Sequence, residues 1–522
     1  MLHLCREPGI EKESDFMKAK SDTAAELPAA RPAIRWLAWL APAAMLCFAP
    51  AYLVRDLWFD EALTVMNFAL LPRPLDIYLN YAIPNNHIVF TALLNLWIKL
   101  MPATVPPDLW LRLPSLGAAI ALLWLLHRRF AAEIGRFKLA VTLTMLAVSP
   151  PFLTYATAVR GYMVGALFGA LFLVAALEFL RSGKPRDGWP CAAFALLAVG
   201  VAPSNLAALA AAALIAASRA PKPLKFKRIA LLFLIPPAMT LLFYLPIFRQ
   251  LLHCYQLGEG WKDGAAALKQ FAVASLLPFG PLLLAAAAGG VALLRRRAKT
   301  WRTFLAGAAW QLPVPMMLIP RVAPFPRVFL PLLPLCALLV ARGILHLAAW
   351  LKIKAQKCGK TVPALSPRRR AALAALALLP LLGWSFLLGN TEARFAISDR
   401  IGGAYGDDFF APHYLRIDFR PATTAAEILR RFPPAGNPVI YLSFNADPWA
   451  VSFYCNIFNT TSGRPDFRFD GPRGPVAELP DNAAVVLRQD EDPAPVARRF
   501  GGTLLPVAKG GLQHIIYRLE KR

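Results

Sequence analysis

Apolar residues run through this chain in long blocks, and the polar residues gather between them. A helix needs about 20 apolar residues to cross a hydrocarbon core, fewer when its ends reach the interface. Blocks of that kind fall at 35–54, 111–127, 138–154, 160–180, 228–247, 270–294, 303–319, 328–350 and 370–389. Two shorter blocks, 189–203 and 204–217, meet at Pro203-Ser204-Asn205. They read either as a tight hairpin or as one re-entrant element. The pattern changes near residue 390. Beyond it no long apolar run occurs, and 437–445, 483–488 and 511–519 read as strands. Helical periodicity covers 423–432 and 447–455. The alternation predicts a small α/β domain over 390–522. Residues 1–34 are polar, mixed in charge and without a signal-peptide pattern, and predict a disordered cytoplasmic tail.

Composition agrees with a membrane protein and adds sidedness. Of the 522 residues, 57% are hydrophobic, and the mean hydropathy of +0.47 is more than a water-facing surface allows. Only 17% are charged, yet the formal net charge is +26. Spread over a soluble surface, that excess would suggest a nucleic-acid partner. Here the basic residues sit in short clusters between apolar blocks, at 128–138, 181–186, 219–228, 295–302 and 352–370. That placement indicates topology and speaks against nucleic acid.

One further apolar segment, 88–101, decides the orientation. If it lies at the outer interface and the N-terminus is inside, every basic cluster is cytoplasmic. If it crosses, every cluster is outside. The positive-inside rule selects the first arrangement. The expected protein is therefore a polytopic α-helical membrane protein with about eleven spans over 35–389. Its first external loop is 55–110, and 390–522 lies outside the cytoplasm. The seven cysteines form no CxxC pair, so no metal or redox motif is present. Cys254 and Cys455 alone fall outside the cytoplasm; their spacing leaves a disulfide between them open, and two unpaired thiols are the expected state.

This topology gathers ionisable residues at the outer face. The first external loop carries Asp56, Asp60 and Glu61 in RDLWFDEALT and ends in Pro84-Asn85-Asn86-His87. Arg112 opens the next span. Tyr155, Arg160 and Tyr162 lie in a later external turn, and Arg321 and Arg327 in another. Charges beside a bilayer are costly unless they pair or line a wet cavity. Arginines suit phosphate, and a carboxylate suits a proton leaving an attacking hydroxyl. Structural roles compete with this reading. Asp60-Glu61 would cap a helix, Arg112 would anchor at the interface, Arg160 would pair with Asp60, His87 would be a satisfied interface residue, and Tyr155 and Tyr162 would join an aromatic belt.

A series of motifs in order carries a resemblance. FDEALT at 59–64 looks like an acidic pair in a first external loop. PNNHIVFTALLNLW at 84–97 is similar to a His-Pro-Pro-Leu or Asn-Asn-His segment. RLPS at 112–115 and SPPFLTYATAVRGY at 149–162 follow, and RVFLPLLP at 327–334 matches a late Arg-aromatic-Leu-Pro-Leu segment. Together they resemble the GT-C glycosyltransferases of the protein mannosyltransferase and aminoarabinose transferase type, including the RgtA/B/C/D-like group. The resemblance covers about residues 35–340. It implies a GT-C-like fold in the cytoplasmic membrane and a polyprenyl-phosphate-linked sugar donor. The acceptor would be a glycolipid, lipopolysaccharide or protein hydroxyl, and transfer would invert the anomeric carbon. Asp60 and Glu61 would be the catalytic acids. His87, Arg112, Arg160, Arg321 and Arg327 would hold the donor phosphate, and Asn86, Tyr155 and Tyr162 would touch substrate. Ala158 stands where relatives carry a glutamate, so no metal or other cofactor is expected. A transporter of lipid-linked sugars is the competing class. The near absence of charges in mid-span and of repeated halves disfavours it.

Overall fold

The computed structural model describes residues 36–83, 85–219, 226–256, 269, 326–344, 383–384, 386–387 and, with short interruptions, 390–521. The expected spans 270–294 and 303–319, nearly all of 370–389, the N-terminal tail and Arg321 lie outside the described residues.

The first helices are α1 (Leu37–Phe48), α2 (Phe59–Thr64), α3 (Ile88–Ile98) and α4 (Pro107–Ile134). The 11 residues of α3 rise about 16 Å, roughly half a hydrocarbon core. That is too short to cross alone. In contrast, the 28 residues of α4 rise about 42 Å and suffice. Helix α4 ends at Gly135, whose φ of +101° disfavours any side chain, and α5 (Arg136–Ala147) begins at once.

The apolar block at 138–154, expected as one span, is broken. Its second part is α6 (Pro150–Ala156), bent 72° from α5. Pro150 and Pro151 supply no backbone N–H, so the hydrogen-bond ladder of α5 cannot run through them. Next comes α7 (Tyr162–Ser182), the central helix, packed against α4, α8 (Gly188–Val201) and α9 (Leu206–Ser218). A short turn at Pro203–Asn205 joins α8 and α9 as two separate helices. Helix α10 (Phe226–Tyr244) packs on α8. Among the described residues, four helical stretches are long and apolar enough to cross a membrane, and five if α5 and α6 count as one. They include Arg327–Ile344, which packs against α7.

The last quarter of the chain is a mixed α/β unit. It contains α11 (Thr391–Ile401), α12 (Pro421–Arg431), β1 (Val439–Leu442), α13 (Pro448–Phe458), β2 (Asp466–Arg468), β3 (Ala484–Arg488), α14 (Pro493–Arg499), β4 (Gly502–Gly510) and β5 (His514–Lys521). The sheet order is β2-β1-β3-β5-β4. Strand β1 is parallel to β2 and β3, with Ile440 opposite Ala484, and β5 is antiparallel to both β3 and β4. Buried Ile440, Leu442, Val486 and Ile516 face a core shared with α12 and α13. The sequence reading missed β2 and β4. Strand β2 has three residues, and β4 carries Pro506 at a register shift, which an edge strand tolerates.

This unit sits on the first loop. Helix α13 packs on α2. The Leu57 N–H donates to Tyr454 Oη at 2.8 Å, and the Ala422 N–H, at the start of α12, donates to Asp56 Oδ2 at 2.8 Å. Arg394 on α11 donates to Tyr52 Oη at 2.7 Å. At the opposite end of α4, Glu133 pairs with Arg219 and Arg342 at 3.0 and 2.7 Å. The two ends of the bundle thus carry separate charge clusters.

Candidate active site

The site begins with α2. The neighbouring acids Asp60 and Glu61 both fall in its first turn, where the N-terminal dipole favours negative charge. They then diverge. Glu61 is fully buried, and Asp60 keeps 14% of its side chain exposed.

Glu61 is the centre of a clasp. Its two oxygens accept from both terminal nitrogens of Arg55 at 2.9 and 3.2 Å, from Arg112 at 3.1 Å, and from the N–H groups of Trp58 at 3.2 Å and Val159 at 2.8 Å. Burial pushes its carboxyl up, but Arg112, Arg55 and the Val159 N–H together outweigh burial and hold it below its ordinary value. Arg112, also fully buried, spends its remaining terminal donors on the carbonyls of Leu53, Arg55 and Asp56. It closes the end of the first helical segment and does not reach an open face. The clasp therefore joins three separated stretches: residues 53–61, α4 and the turn before α7.

Asp60 faces a different partner. Its carboxylate pairs with Arg327 at 3.0 Å. Arg160 meets only the Asp60 carbonyl, at 3.4 Å, so the expected Arg160–Asp60 ion pair is replaced by Arg327–Asp60.

Arg160 is 3% exposed. Its guanidinium donates to Thr64 Oγ1 at 2.9 Å, to the Asn85 carbonyl at 3.2 Å and to the Asn85 side-chain oxygen, and it lies 3.2 Å from His87 Nε2. Among the described residues, every one of these partners is neutral, and Nε has none. A buried cation without a counter-charge is costly, so Arg160 is a group suited to bind an anion.

His87 sharpens this. Its Nδ1 accepts from the Gly161 N–H at 3.0 Å. The ring proton then belongs on Nε2, which faces the Arg160 N–H group. Two donors confront each other with no acceptor between them. Burial, then Arg160 and Arg327, holds the imidazole well below its ordinary pKa of 6.5, so the ring is neutral.

Aromatic rings pack against the ion-paired cations as well. Trp58 stacks on Tyr414 with centroids 4.2 Å apart. The Arg327 guanidinium lies 5.4 Å from the Trp58 ring, and that of Arg55 5.0 Å from Tyr414. Tyr155 and Tyr162 are buried and not belt residues, because they pack edge to face at 5.0 Å inside the bundle. Tyr162 also meets the His87 ring at 4.9 Å and Arg160 at 5.6 Å, and the Tyr155 side chain lies beside that of Tyr414. Asn86 is buried one step away and donates to the carbonyls of Ile77 and Asn80, shaping the loop.

The structure thus brings Asp60, Glu61, His87, Arg112, Arg160, Arg327, Tyr155 and Tyr162 into one connected cluster. Sequence reasoning missed Arg55, Asn85, Trp58 and Tyr414. Arg55 had a signal: a buried glutamate in an apolar setting calls for more than one cation, and Arg55 lies in the same loop. Tyr414 had none, since it comes from the far end of the chain. Among the described residues, no three His, Cys, Asp or Glu side chains converge as a metal-binding group.

The helical bundle, short α2 and α3 and the polar α/β unit beside a cationic site form a fold of the GT-C membrane-protein type, as the structural comparison shows. The chain is similar over 92% of its length, at 14% identity and a TM-score of 0.53, to the structure of ArnT from Cupriavidus metallidurans bound to undecaprenyl phosphate. It is similar over 94% of its length, at 14% identity and a TM-score of 0.55, to the same protein in the apo state. In both cases 98% of the ArnT chain is covered. No protein-family model matches the sequence, and no curated protein matches it.

Proposed function

We propose that this protein is a glycosyltransferase that moves a sugar from a polyprenyl phosphate to an acceptor hydroxyl at the outer face of the cytoplasmic membrane. The observation that carries the reading is Arg160, a buried cation whose partners among the described residues are all neutral. A phosphate oxygen supplies the missing counter-charge. It also supplies the acceptor that the Arg160 N–H and His87 Nε2–H both lack. ArnT, of similar fold, binds undecaprenyl phosphate, which supports a lipid-phosphate ligand here.

In this reading Arg160, Arg327 and His87 hold the donor phosphate, with Arg321 joining them. Asp60 takes the proton of the acceptor hydroxyl. The hydroxyl oxygen bonds to the anomeric carbon, the carbon–oxygen bond to phosphate breaks, and the polyprenyl phosphate leaves with the electron pair, with inversion. The fixed guanidinium groups stabilise the charge that develops on the leaving phosphate. Arg327 links the two halves. It pairs with Asp60, and an arriving phosphate competes for it, which releases the carboxylate beside the acceptor. Glu61, Arg55 and Arg112 position Asp60 and Arg160 without touching substrate. The reading calls for no divalent metal.

The test uses the full-length protein in nanodiscs. Asp60→Asn abolishes transfer and keeps undecaprenyl-phosphate binding, whereas Arg160→Gln weakens that binding at least about tenfold, as loss of a charged hydrogen bond does. Full transfer by Asp60→Asn overturns the assignment. The membrane orientation is tested by a C-terminal reporter enzyme active only outside the cytoplasm.

A further inference from the structure

The acceptor has a place in the structure as well. The turn after β1 carries Phe444, a large apolar side chain left 65% exposed. Its ring neighbour is Phe59, at 5.6 Å and 60°. Phe59 immediately precedes Asp60. The exposed ring is therefore held beside the helical turn that carries the candidate base, although it belongs to the other end of the chain.

The turn is braced. Ser443 Oγ donates to Glu491 at 2.6 Å, Asn445 Nδ2 donates to the other Glu491 oxygen at 2.8 Å, and the Arg488 N–H donates to Glu491 at 2.7 Å. The Ser443 N–H continues the sheet by donating to the Val486 carbonyl at 3.0 Å. Asp447 adopts φ +47° and Pro448 then starts α13. The ring thus stands on a fixed support at the carboxyl ends of parallel β1 and β3, the edge where open α/β sheets receive ligands.

We infer that Phe444, with Phe59 and the exposed Asn445 carboxamide, forms a saccharide-binding subsite that seats the sugar of the acceptor next to Asp60. A pyranose has a face of C–H groups and a rim of hydroxyls. A flat exposed ring takes the face, and the oxygen and second N–H of the Asn445 amide take hydroxyls. Rigid aromatic contact costs little conformational entropy. The inference rests on the transferase reading and deepens it: the acceptor is a glycan and not a bare protein hydroxyl.

The experiment compares full-length wild type, Phe444→Ala, Phe444→Trp and Asp60→Asn. The probe is the oligosaccharide released by mild acid from the envelope of a deletion strain of the native host, which carries acceptor lacking the added sugar. Saturation-transfer NMR reads its binding. Signal from the sugar ring protons is expected with wild type, Phe444→Trp and Asp60→Asn, and is lost with Phe444→Ala. In transfer assays Phe444→Ala raises the acceptor KM about tenfold and leaves the donor KM unchanged. An equal thermal midpoint shows that Phe444→Ala is folded. Absent signal with wild type, undiminished signal with Phe444→Ala, or a rise in donor KM instead overturns the subsite; the last outcome assigns the ring to the lipid. Full transfer by Asp60→Asn removes the catalytic reading while the binding result stands by itself.

Discussion

Single residues in this protein divide their labour by burial. Asp60 and Glu61 are adjacent acids, yet one is closed in a clasp and the other meets solvent and Arg327. Glu61→Gln leaves Arg55 and Arg112 buried without a counter-charge, and is expected to cost about 3–5 kcal/mol, read as a lowered thermal midpoint. Asp60→Asn, which strips Arg327 of an ion-pair partner that meets solvent, should lower that midpoint less than Glu61→Gln does. His87 sets a pH limit. Its folded pKa lies well below 6.5, so below pH 6.5 the unfolded chain binds more protons than the folded one. Stability therefore falls as the pH drops through 6.5 towards the depressed value, and His87→Asn flattens that part of a melting-midpoint profile. Glu61 acts lower on the scale: its contribution is complete above its ordinary 4.5 and is lost as the pH falls towards its lowered value. Activity should survive chelation by EDTA, measured as transfer rate before and after treatment.

At the scale of elements, the decisive features are breaks. Short α2 sets Glu61 into the bundle and leaves Asp60 at its edge. The α5–α6 bend exists because two prolines stop a ladder, and it carries the backbone into the turn that holds Val159, Arg160 and Gly161. Gly161 is required there: a Cβ would stand 2.6 Å from His87 Nδ1 and 2.6 Å from a Val201 methyl. Gly161→Ala is expected to displace His87 and lower the transfer rate about 10²-fold, the effect of a misplacement near 1 Å, while insertion into the membrane is unchanged. Much of this level was legible beforehand. The apolar blocks gave the helices, because a bilayer admits few alternatives. The acids, His87 and the arginines were legible because charge beside apolar sequence needs a reason. The bend was missed because hydropathy ignores prolines. Which arginine met which acid was not legible, because pairing depends on side chains brought together from residues far apart in sequence.

At the scale of the whole molecule, the helical bundle and the α/β unit meet, among the described residues, at the first loop. The sheet strands β1, β3 and β5 were readable from their apolar runs, but nothing in the sequence placed Tyr414, Phe444 or Tyr454 over the first loop. Tyr454 is the point to test. Tyr454→Phe removes the acceptor of the buried Leu57 N–H and is expected to destabilise the contact by about 1–3 kcal/mol. Limited proteolysis should then cut between the helical bundle and the α/β unit sooner than in wild type.

That contact also has a consequence in time. Leu57 leaves the ribosome well before its partner Tyr454, which is 397 residues further along; the partner of Asp56 comes 366 residues later. The ribosome thus adds 397 residues after Leu57 before the loop carrying Asp60 can be completed. A chain stopped short presents Leu57 and Trp58 without their covers, as a surface that membrane quality control can recognise. The loop at 55–61 is therefore completed only after the α/β unit that covers it has been made.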